Sequence, residues 1–240
     1  MIRRIKHLES LPSVAISMLI VNCACVQAAD SGWALEQENP YAPSGQWTVT
    51  LGDHGLKAAD KNITLIIVAP NFNAFITNAS TKQYVAASHD EWMQTFFHRS
   101  ASNQMTNGKY LRPGKKTGQI AGLHVRQYFL CMVEFGKERI LREVWMTNEI
   151  GIATNNSRVL NQLCNLPPGD DGVPLRVSRI FKDGNKEVVL NTTKASKVST
   201  NSTSFKQPTG YQKGRNATSV LFSSGSGKDF TDMLTEPISR

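Results

Sequence analysis

Histidines are the side chains of this sequence with the clearest potential for catalysis or metal binding. Four of them follow the N-terminal segment, namely His54, His89, His98 and His124. A metal site needs several such ligands, with cysteines or acidic residues, at spacings that let them converge on one ion. His89 precedes Asp90 and Glu91, but surface polar residues around a helix explain that group better. We therefore expect no metal and no cofactor.

A serine nucleophile of the hydrolase type is not supported either. Such a serine stands in the pattern Gly-x-Ser-x-Gly on a tight turn between a strand and a helix. In Gly225-Ser226-Gly227 the glycines flank the serine directly, within a low-complexity run. The sequence also lacks a P-loop, a dinucleotide-binding fingerprint and a Cys-x-x-Cys motif. We expect a protein that is not an enzyme.

The N-terminal segment, residues 1–28, has the pattern of a secretory signal peptide. Three basic residues among the first six precede a short apolar run at Val14–Val21, and Val26-Gln27-Ala28 has the small residues of a cleavage site. The apolar run is too short to span a membrane. We expect an exported, periplasmic protein that is cleaved after residue 28. Lipid attachment through Cys23 or Cys25 is the less favoured alternative.

Two cysteines, Cys131 and Cys164, remain after such cleavage. An exported compartment permits a disulfide between them. The alternative is a pair of buried thiols that behave as small apolar side chains. The sequence slightly favours the disulfide but does not decide between the two.

The charge is basic and dispersed. The whole chain carries a formal charge of +8, and residues 29–240 contain 24 basic and 18 acidic residues. A surface of this sign attracts anionic lipids or other polyanions at long range. No run of lysines and arginines resembles a nucleic-acid footprint. We therefore expect no nucleic-acid partner, and we regard transient contact with a membrane as compatible with the sequence.

The stretch 121–147 predicts two long strands joined by a polar turn at 135–138. Alternate residues of a strand point to opposite faces of the sheet. In the first strand both faces contain apolar residues, with Leu123, Val125, Phe129, Cys131 and Val133 on one and Tyr128, Leu130 and Met132 on the other. A sheet with one solvated face alternates cleanly between apolar and polar residues. Part of this sheet is therefore expected to be covered on both sides.

Short apolar runs bounded by turn residues predict further strands, at 46–51, 63–69, 72–78, 81–86, 116–120, 175–181, 186–191 and 195–198. Helices are predicted at 91–97, after a cap at 88–90, and at 155–165. The segment 30–44 is expected to be an extended lead-in. After Tyr211 we expect a poorly packed tail with at most a short strand at 219–222. The count, about ten strands and two helices, predicts a mainly β (α+β) fold with a curved antiparallel sheet.

The apolar residues exceed what one face of such a sheet can bury. This surplus can form a closed core, or it can line a cavity for a hydrophobic ligand between the sheet and the helices. The side chains that we expect to line a cavity are Leu65, Ile67, Phe75, Trp92, Phe96, Tyr128, Leu130 and Trp145.

Several short motifs, spread from Gln46 to Lys213, resemble a family of uncharacterised exported bacterial proteins related to LolA/LolB-type periplasmic lipoprotein carriers. They are Gly55-Leu-Lys57, Ile63–Ala69, Ile76-Thr-Asn78, Thr81–Tyr84, Ile120–Leu123 with Tyr128, Glu143–Thr147, Gly172–Leu175 and Phe205–Tyr211. The resemblance implies a half-barrel of antiparallel strands closed by two or three helices over an apolar concave side that can hold acyl chains. No catalytic residues come with that family.

Together these features predict a signal peptide (1–28), a single LolA-like half-barrel domain (29–211) and a flexible Ser/Gly-rich tail (212–240). The expected function is that of a periplasmic carrier for a lipid or a lipoprotein acyl group. The alternative is a non-enzymatic envelope module with a filled core that binds a protein partner. The oligomeric state is left open by the sequence.

Overall fold

The computed structural model describes residues 30–40, 42, 44–97, 108–167 and 172–222, with only the backbone of 95–97 and 222. The predicted signal peptide and residues 223–240 lie outside the described residues, so the predicted domain boundaries stay predictions.

Within the described residues, twelve strands form a single open sheet that three α-helices accompany, which confirms the mainly β, half-barrel fold. The strands are β1 Asp30–Glu38, β2 Gln46–Gly52, β3 Gly55–Ala59, β4 Ile63–Val68, β5 Asn73–Asn78, β6 Gln83–Ala87, β7 Lys109–Ile120, β8 Leu123–Glu134, β9 Lys137–Thr147, β10 Val173–Ile180, β11 Lys186–Thr200 and β12 Gln212–Lys213. The helices are α1 His89–Phe97, α2 Thr154–Leu163 and α3 Ala217–Phe222, and Ser202–Phe205 forms a short 3-10 helix. No helix of the described residues is long and apolar enough to cross a bilayer.

The strand order is β12-β6-β5-β4-β3-β2-β1-β11-β10-β9-β8-β7. Neighbours pair antiparallel, except that β12 runs parallel to β6. Two meanders, β1 to β6 and β7 to β11, therefore meet where β1 pairs with β11. Because β1 is central, the segment predicted as an extended lead-in is in fact a core strand. Its period-two pattern is weak in the sequence because Gln37, one of its buried residues, is polar and donates a hydrogen bond to Thr192.

Three other predictions of local structure need correction. The strands predicted at 186–191 and 195–198 are one strand, β11, which stays continuous through a bulge opposite Glu36 and Gln37. Strand β7 begins at Lys109, well before the strand predicted at 116–120, because pairing with β8 outweighs its polar composition. Residues 219–222 belong to α3 rather than to a strand. A poorly packed tail was expected after Tyr211. In the structure, Gln212 and Lys213 pair with β6, and Ala217–Phe222 form α3, which packs against β5 and β6.

Turn chemistry accounts for the predicted hairpins and for the start of α1. Phe135 and Gly136 both have positive φ, 51° and 74°, as a two-residue turn between right-twisted strands requires. The Glu91 side chain accepts the backbone N–H of Ser88 at 2.7 Å, and the Ser88 hydroxyl accepts the Glu91 N–H at 3.4 Å. This reciprocal arrangement is a capping box, and it fixes where α1 begins.

The two faces of the sheet can be assigned from the register, since residues directly opposite each other in neighbouring strands share a face. One row runs across the first meander through Leu35, Val49, Ala58, Leu65, Ile76 and Val85. Asn78 shares the face of Ile76 and donates to the Val220 carbonyl of α3 at 2.8 Å. Arg142, opposite Leu130, donates to the Cys164 carbonyl at the end of α2, also at 2.8 Å. This helix-covered side is called the inner face, and the other side the outer face.

Part of the outer face is buried as well, as the stretch 121–147 predicted. Val125, on the outer face, is 4% exposed, while Tyr128, on the inner face, is 6% exposed. The edge strand β7 lies close to these outer-face side chains where its register with β8 shifts between Pro113 and Thr117. A Cβ atom at Gly114 would lie 2.6 Å from Oε1 of Gln127, so the β7 backbone at Gly114 passes close to the Gln127 side chain.

Candidate functional site

The inner face presents a continuous apolar wall. Its central row crosses six strands, and the exposed fractions of its members run from 0% to 8% for Leu35, Val49, Ala58, Leu65, Ile76 and Val85. A second row beside it contains Leu51, Leu56, Ile67 and Ala74, none more than 1% exposed. Burial of each large aliphatic side chain contributes about 1.5–3 kcal/mol. This wall is therefore the main source of the stability of the first meander.

Helix α1 covers the wall at β5 and β6. Trp92 is 0% exposed and Met93 is 4% exposed. The indole Nε1 of Trp92 donates to the carbonyl of Phe72 at 2.8 Å, which ties the helix to the turn between β4 and β5. The ring of His89 lies 5.2 Å from the Trp92 ring and 5.7 Å from the Phe72 ring, so its imidazole packs among aromatic groups.

Helix α2 is joined to both meanders. Asn156 is 1% exposed and donates from Nδ2 to the carbonyls of Gly52 (2.7 Å) and Asp53 (3.1 Å). At the other end, Arg142 of β9 donates to the carbonyl of Cys164, one of the carbonyls that a helix terminus leaves without an intrahelical partner. These hydrogen bonds hold α2 across the inner face while Val159, Leu160 and Leu163 bury its apolar side.

Helix α3 closes the edge of the sheet at β5 and β6. Val220 is 0% exposed and Leu221 is 7% exposed. The sequence does not mark these two residues as core, because a six-residue helix between polar stretches has too short a pattern to recognise. The same is true of Phe205, which is fully buried in the short 3-10 helix.

Five of the predicted cavity residues lie on or against the inner face and are tightly packed. Leu65, Ile67, Trp92 and Leu130 are 0–1% exposed, and Tyr128 is 6% exposed. A space large enough for water would leave accessible surface on the side chains that line it. No water-sized space therefore adjoins Ile67 or Trp92, and the interior is closed at these positions. The side chain of Phe96 lies outside the described residues.

The other two predicted residues, Phe75 and Trp145, are on the outer face. Phe75 is paired with Ile66 and Ala86, in the row next to that of Leu65 and Ile76. Trp145 is paired with Gln127 on one side, not with the inner-face residues of β8. Both were assigned to the cavity by size. The sequence could not exclude them because strands with apolar residues on both faces give no sign of which face points inwards.

Cys131 and Cys164 are free thiols in the structure, so the disulfide favoured by the sequence is not formed. Cys131 is on the outer face, paired with Tyr110 and Ile140. Cys164 follows α2, which lies against the inner face. Burial raises the pKa of the Cys164 thiol to about 12, so this thiol is unreactive as a nucleophile.

Among the described residues, no group of three or more His, Cys, Asp and Glu side chains could hold a metal ion. His54 pairs with Asp30 at 2.9 Å and His124 with Glu149 at 2.6 Å, and all four side chains are exposed. His98 lies outside the described residues. The described histidines are therefore in separate places: His54 and His124 each belong to a separate exposed pair, and His89 lies where α1 meets the sheet.

A pocket of about 430 Å³ lies where the β1–β2 and β3–β4 connections meet. Its lining includes Glu36, Gln37, Asp60 and Lys61, with Trp47 as the largest apolar contribution. An acyl chain gains nothing from carboxylates and amides that must give up water to receive it. The inner face, and not this pocket, has the chemistry for an apolar ligand.

The pH dependence of α1 gives a first prediction. Burial lowers the pKa of His89, while Asp90 and Gln162 favour the protonated ring to a smaller extent. The unfolded chain therefore binds a proton at His89 more readily than the folded protein does. The free energy of unfolding has its full value above the unfolded pKa of His89, about 6.5, and decreases as the pH falls below that value. Replacement of His89 by Phe, which keeps an aromatic ring, should remove this component. Urea denaturation at pH 7.5 and pH 5.5 measures it, and an unchanged difference between the two pH values would contradict this assignment.

No protein-family model matches the chain, and no curated protein matches it. The chain is similar to several solved structures. An uncharacterized conserved protein from Thermus thermophilus has 10% identity over 77% of this chain and 90% of that chain, with a TM-score of 0.42. The complex of MucA and MucB from Pseudomonas aeruginosa has 9% identity over 76% of this chain and 57% of that chain, with a TM-score of 0.36.

A LolA superfamily protein, NE2245 from Nitrosomonas europaea, is also among the similar structures. It shares 10% identity over 76% of this chain and 91% of that chain, with a TM-score of 0.28.

Proposed function

We propose that this protein is an exported, non-enzymatic binding protein of the periplasm that carries a lipid or a lipoprotein acyl group between the inner face of its sheet and the helices. The observation that supports this proposal is the continuous apolar wall of the inner face. It spans six strands and is covered by separate short helices rather than by a second sheet. A short helix buries a small area, so it can separate from the sheet at a lower cost than a second sheet packed over the whole face.

The proposal requires that the ligand displaces part of the cover, because the described interior is closed around Ile67 and Trp92. Helix α1 is the segment that we propose to move. Asn156 and Arg142 hold α2 to both meanders, and the Asn78 side chain holds α3. Exposing Trp92 and Met93 costs about 3–6 kcal/mol in lost burial. The hydrogen bond from the Trp92 indole to the Phe72 carbonyl must also break. An acyl chain gains about 0.8 kcal/mol for each buried methylene, so a chain of about fourteen methylenes gains about 11 kcal/mol and can replace these side chains.

Lipid uptake by the purified protein tests the proposal. We expect solvent extraction and native mass spectrometry to find lipid with the protein, or the delipidated protein to take up one fluorescent fatty acid per chain. The matched variants are Met93→Ala, on the helix that moves, and Phe75→Ala, on the outer face. Met93→Ala should increase the affinity for fatty acid, because a smaller side chain has to be displaced. Phe75→Ala should leave this affinity unchanged. Absence of both co-purified lipid and fatty-acid uptake would overturn the proposal.

The alternative, an envelope interaction module with a filled core, is favoured by one specific observation. The inner-face residues Leu65, Ile67 and Leu130 are at most 1% exposed, as in a core that never opens. Under this alternative the chain binds a protein partner through a sheet edge or its C-terminal region. Partner capture that depends on residues after Tyr211, from a protein that takes up no lipid, would support it.

A further inference from the structure

The large apolar side chains that remain exposed are collected at one end of the sheet. Among the described residues they are Tyr110 (37% exposed), Val133 (56%), Phe135 (99%), Phe181 (42%) and Val188 (47%). Tyr110 is opposite Cys131 near the start of β7, and the others belong to the β8–β9 and β10–β11 hairpins. Antiparallel pairing places the start of β7, the β8–β9 turn and the β10–β11 turn at the same end. These five residues are called the tip surface.

Phe135 is not needed to build the turn in which it lies. Its φ of 51° is in the left-handed region, which Asn and Gly adopt readily and bulky residues rarely. A left-handed residue other than Gly, Asn or Asp is disfavoured by its Cβ. The side chain is 99% exposed, so it gains no burial in return. A phenylalanine with a conformational cost and no packing contact is a residue that serves an external contact.

The β8–β9 hairpin projects beyond β10, while β7 flanks it as far as Lys109 opposite Met132. Its last pair is Glu134 with Lys137, whereas the β9–β10 ladder reaches only as far as Arg142 opposite Arg179. The strand from residue 137 to residue 142 extends roughly 16 Å at about 3.3 Å per residue. Phe135 is therefore at the apex of a protruding hairpin, with Phe181 set back on the neighbouring turn. A protruding apolar apex fits a soft surface that it can enter.

The surroundings of the tip surface are basic. Residues 109–112, 132–139 and 179–188 contain seven basic and four acidic residues. Three of the acidic residues pair with arginines: Glu138 with Arg112, Glu134 with Arg139 and Glu187 with Arg179. Of the basic residues, Lys186 pairs with Glu143, which lies outside these ranges. The Arg179 guanidinium also lies 5.7 Å from the Phe181 ring. The net positive charge around the aromatic residues complements a negatively charged surface.

We propose that the tip surface docks on an anionic lipid bilayer, with Phe135 in the interfacial region and the surrounding lysines and arginines at the headgroups. Aromatic rings are enriched at the membrane interface. Basic residues next to an anionic leaflet each add attraction that decreases within a Debye length. This site is distinct from the inner face, and it operates whether or not the protein carries an acyl chain.

Vesicle co-sedimentation of the exported form of the full chain tests the proposal. We expect binding to vesicles of equal parts phosphatidylglycerol and phosphatidylcholine that weakens with added salt, and about tenfold less binding to phosphatidylcholine alone. Phe135→Asn should weaken binding about tenfold. Asn-Gly is the preferred sequence for this two-residue turn, so the variant should be at least as stable in thermal unfolding as the original protein. Phe135→Trp should retain binding.

Arg126→Glu is the matched control for charge, because Arg126 is exposed and lies towards the other end of β8. It should bind almost as well as the original protein, whereas Lys137→Glu should bind several-fold more weakly. Equal binding by Phe135→Asn and the original protein would overturn the proposal. So would absence of binding to anionic vesicles, or association of the tip surface with a second copy of the chain or another protein instead of lipid. Uptake of fatty acid from solution is measured separately, so failure of one proposal does not decide the other.

Discussion

Replacement of Trp92 by alanine should lower the free energy of unfolding by about 3–5 kcal/mol, the usual cost of truncating a large buried aromatic side chain. Trp92 is 0% exposed, and the variant also loses the hydrogen bond from its indole to the carbonyl of Phe72. If the protein carries an acyl chain, the same variant should bind fatty acid more tightly, because less of the core has to be displaced. Urea denaturation followed by circular dichroism measures the first effect, and fatty-acid titration measures the second.

Trp145→Ala is the matched control, since Trp145 is a half-buried tryptophan on the outer face. It should cost about 1–2 kcal/mol, in the range of ordinary partly buried substitutions, and should leave fatty-acid affinity unchanged. A Trp92→Ala protein that folds but binds fatty acid more weakly would contradict the displacement of α1. Equal losses of stability at the two positions would contradict the assignment of the two faces.

Replacement of Leu65 by aspartate should prevent folding, whereas Phe75→Asp should be tolerated. Leu65 is 1% exposed in the central row of the inner face, and a carboxylate there has no partner and no water. The expected loss exceeds about 5 kcal/mol, which is comparable to the total stability of many domains. Phe75 is on the outer face and half-buried, so its carboxylate reaches solvent and the loss should stay near about 2 kcal/mol.

The yield of soluble protein and the urea midpoint distinguish these outcomes. Leu65→Ala provides the less drastic comparison, with an expected loss of about 2–5 kcal/mol and retention of the fold. A folded Leu65→Asp protein of nearly normal stability would mean that the inner face is hydrated, which contradicts the closed interior. An unfolded Phe75→Asp protein would mean that the outer face at β5 is core.

Local patterns in the sequence were sufficient for much of the architecture. The turn at 135–138 gave the β8–β9 hairpin, and the cap at 88–90 gave α1. Both depend on residues that are close in sequence, where turn geometry and capping hydrogen bonds act. The prediction that part of the sheet at 121–147 is covered on both sides was confirmed, because the types of alternating residues indicate which of them are buried.

Long-range pairing could not be read from the sequence. Strand β1 is central because β11, more than 150 residues later, pairs with it, and its own polar residues Gln37 and Thr192 satisfy each other there. Helix α3 is ordered by the Asn78 side chain and by the burial of Val220 against β5 and β6. The interactions that stabilise β1 and α3 are made with residues far away in the sequence.

The sequence by itself determined a mainly β chain with an apolar surplus and a short-helix cover, because composition and period-two patterns report how much surface must be buried. Only the tertiary structure decided which apolar residues face the helices. A shift of one residue in register exchanges the two faces of a strand. In β4 and β5 both faces are apolar, so Leu65 and Ile76 could be assigned to the inner face, and Phe75 to the outer face, only from the pairing of the strands.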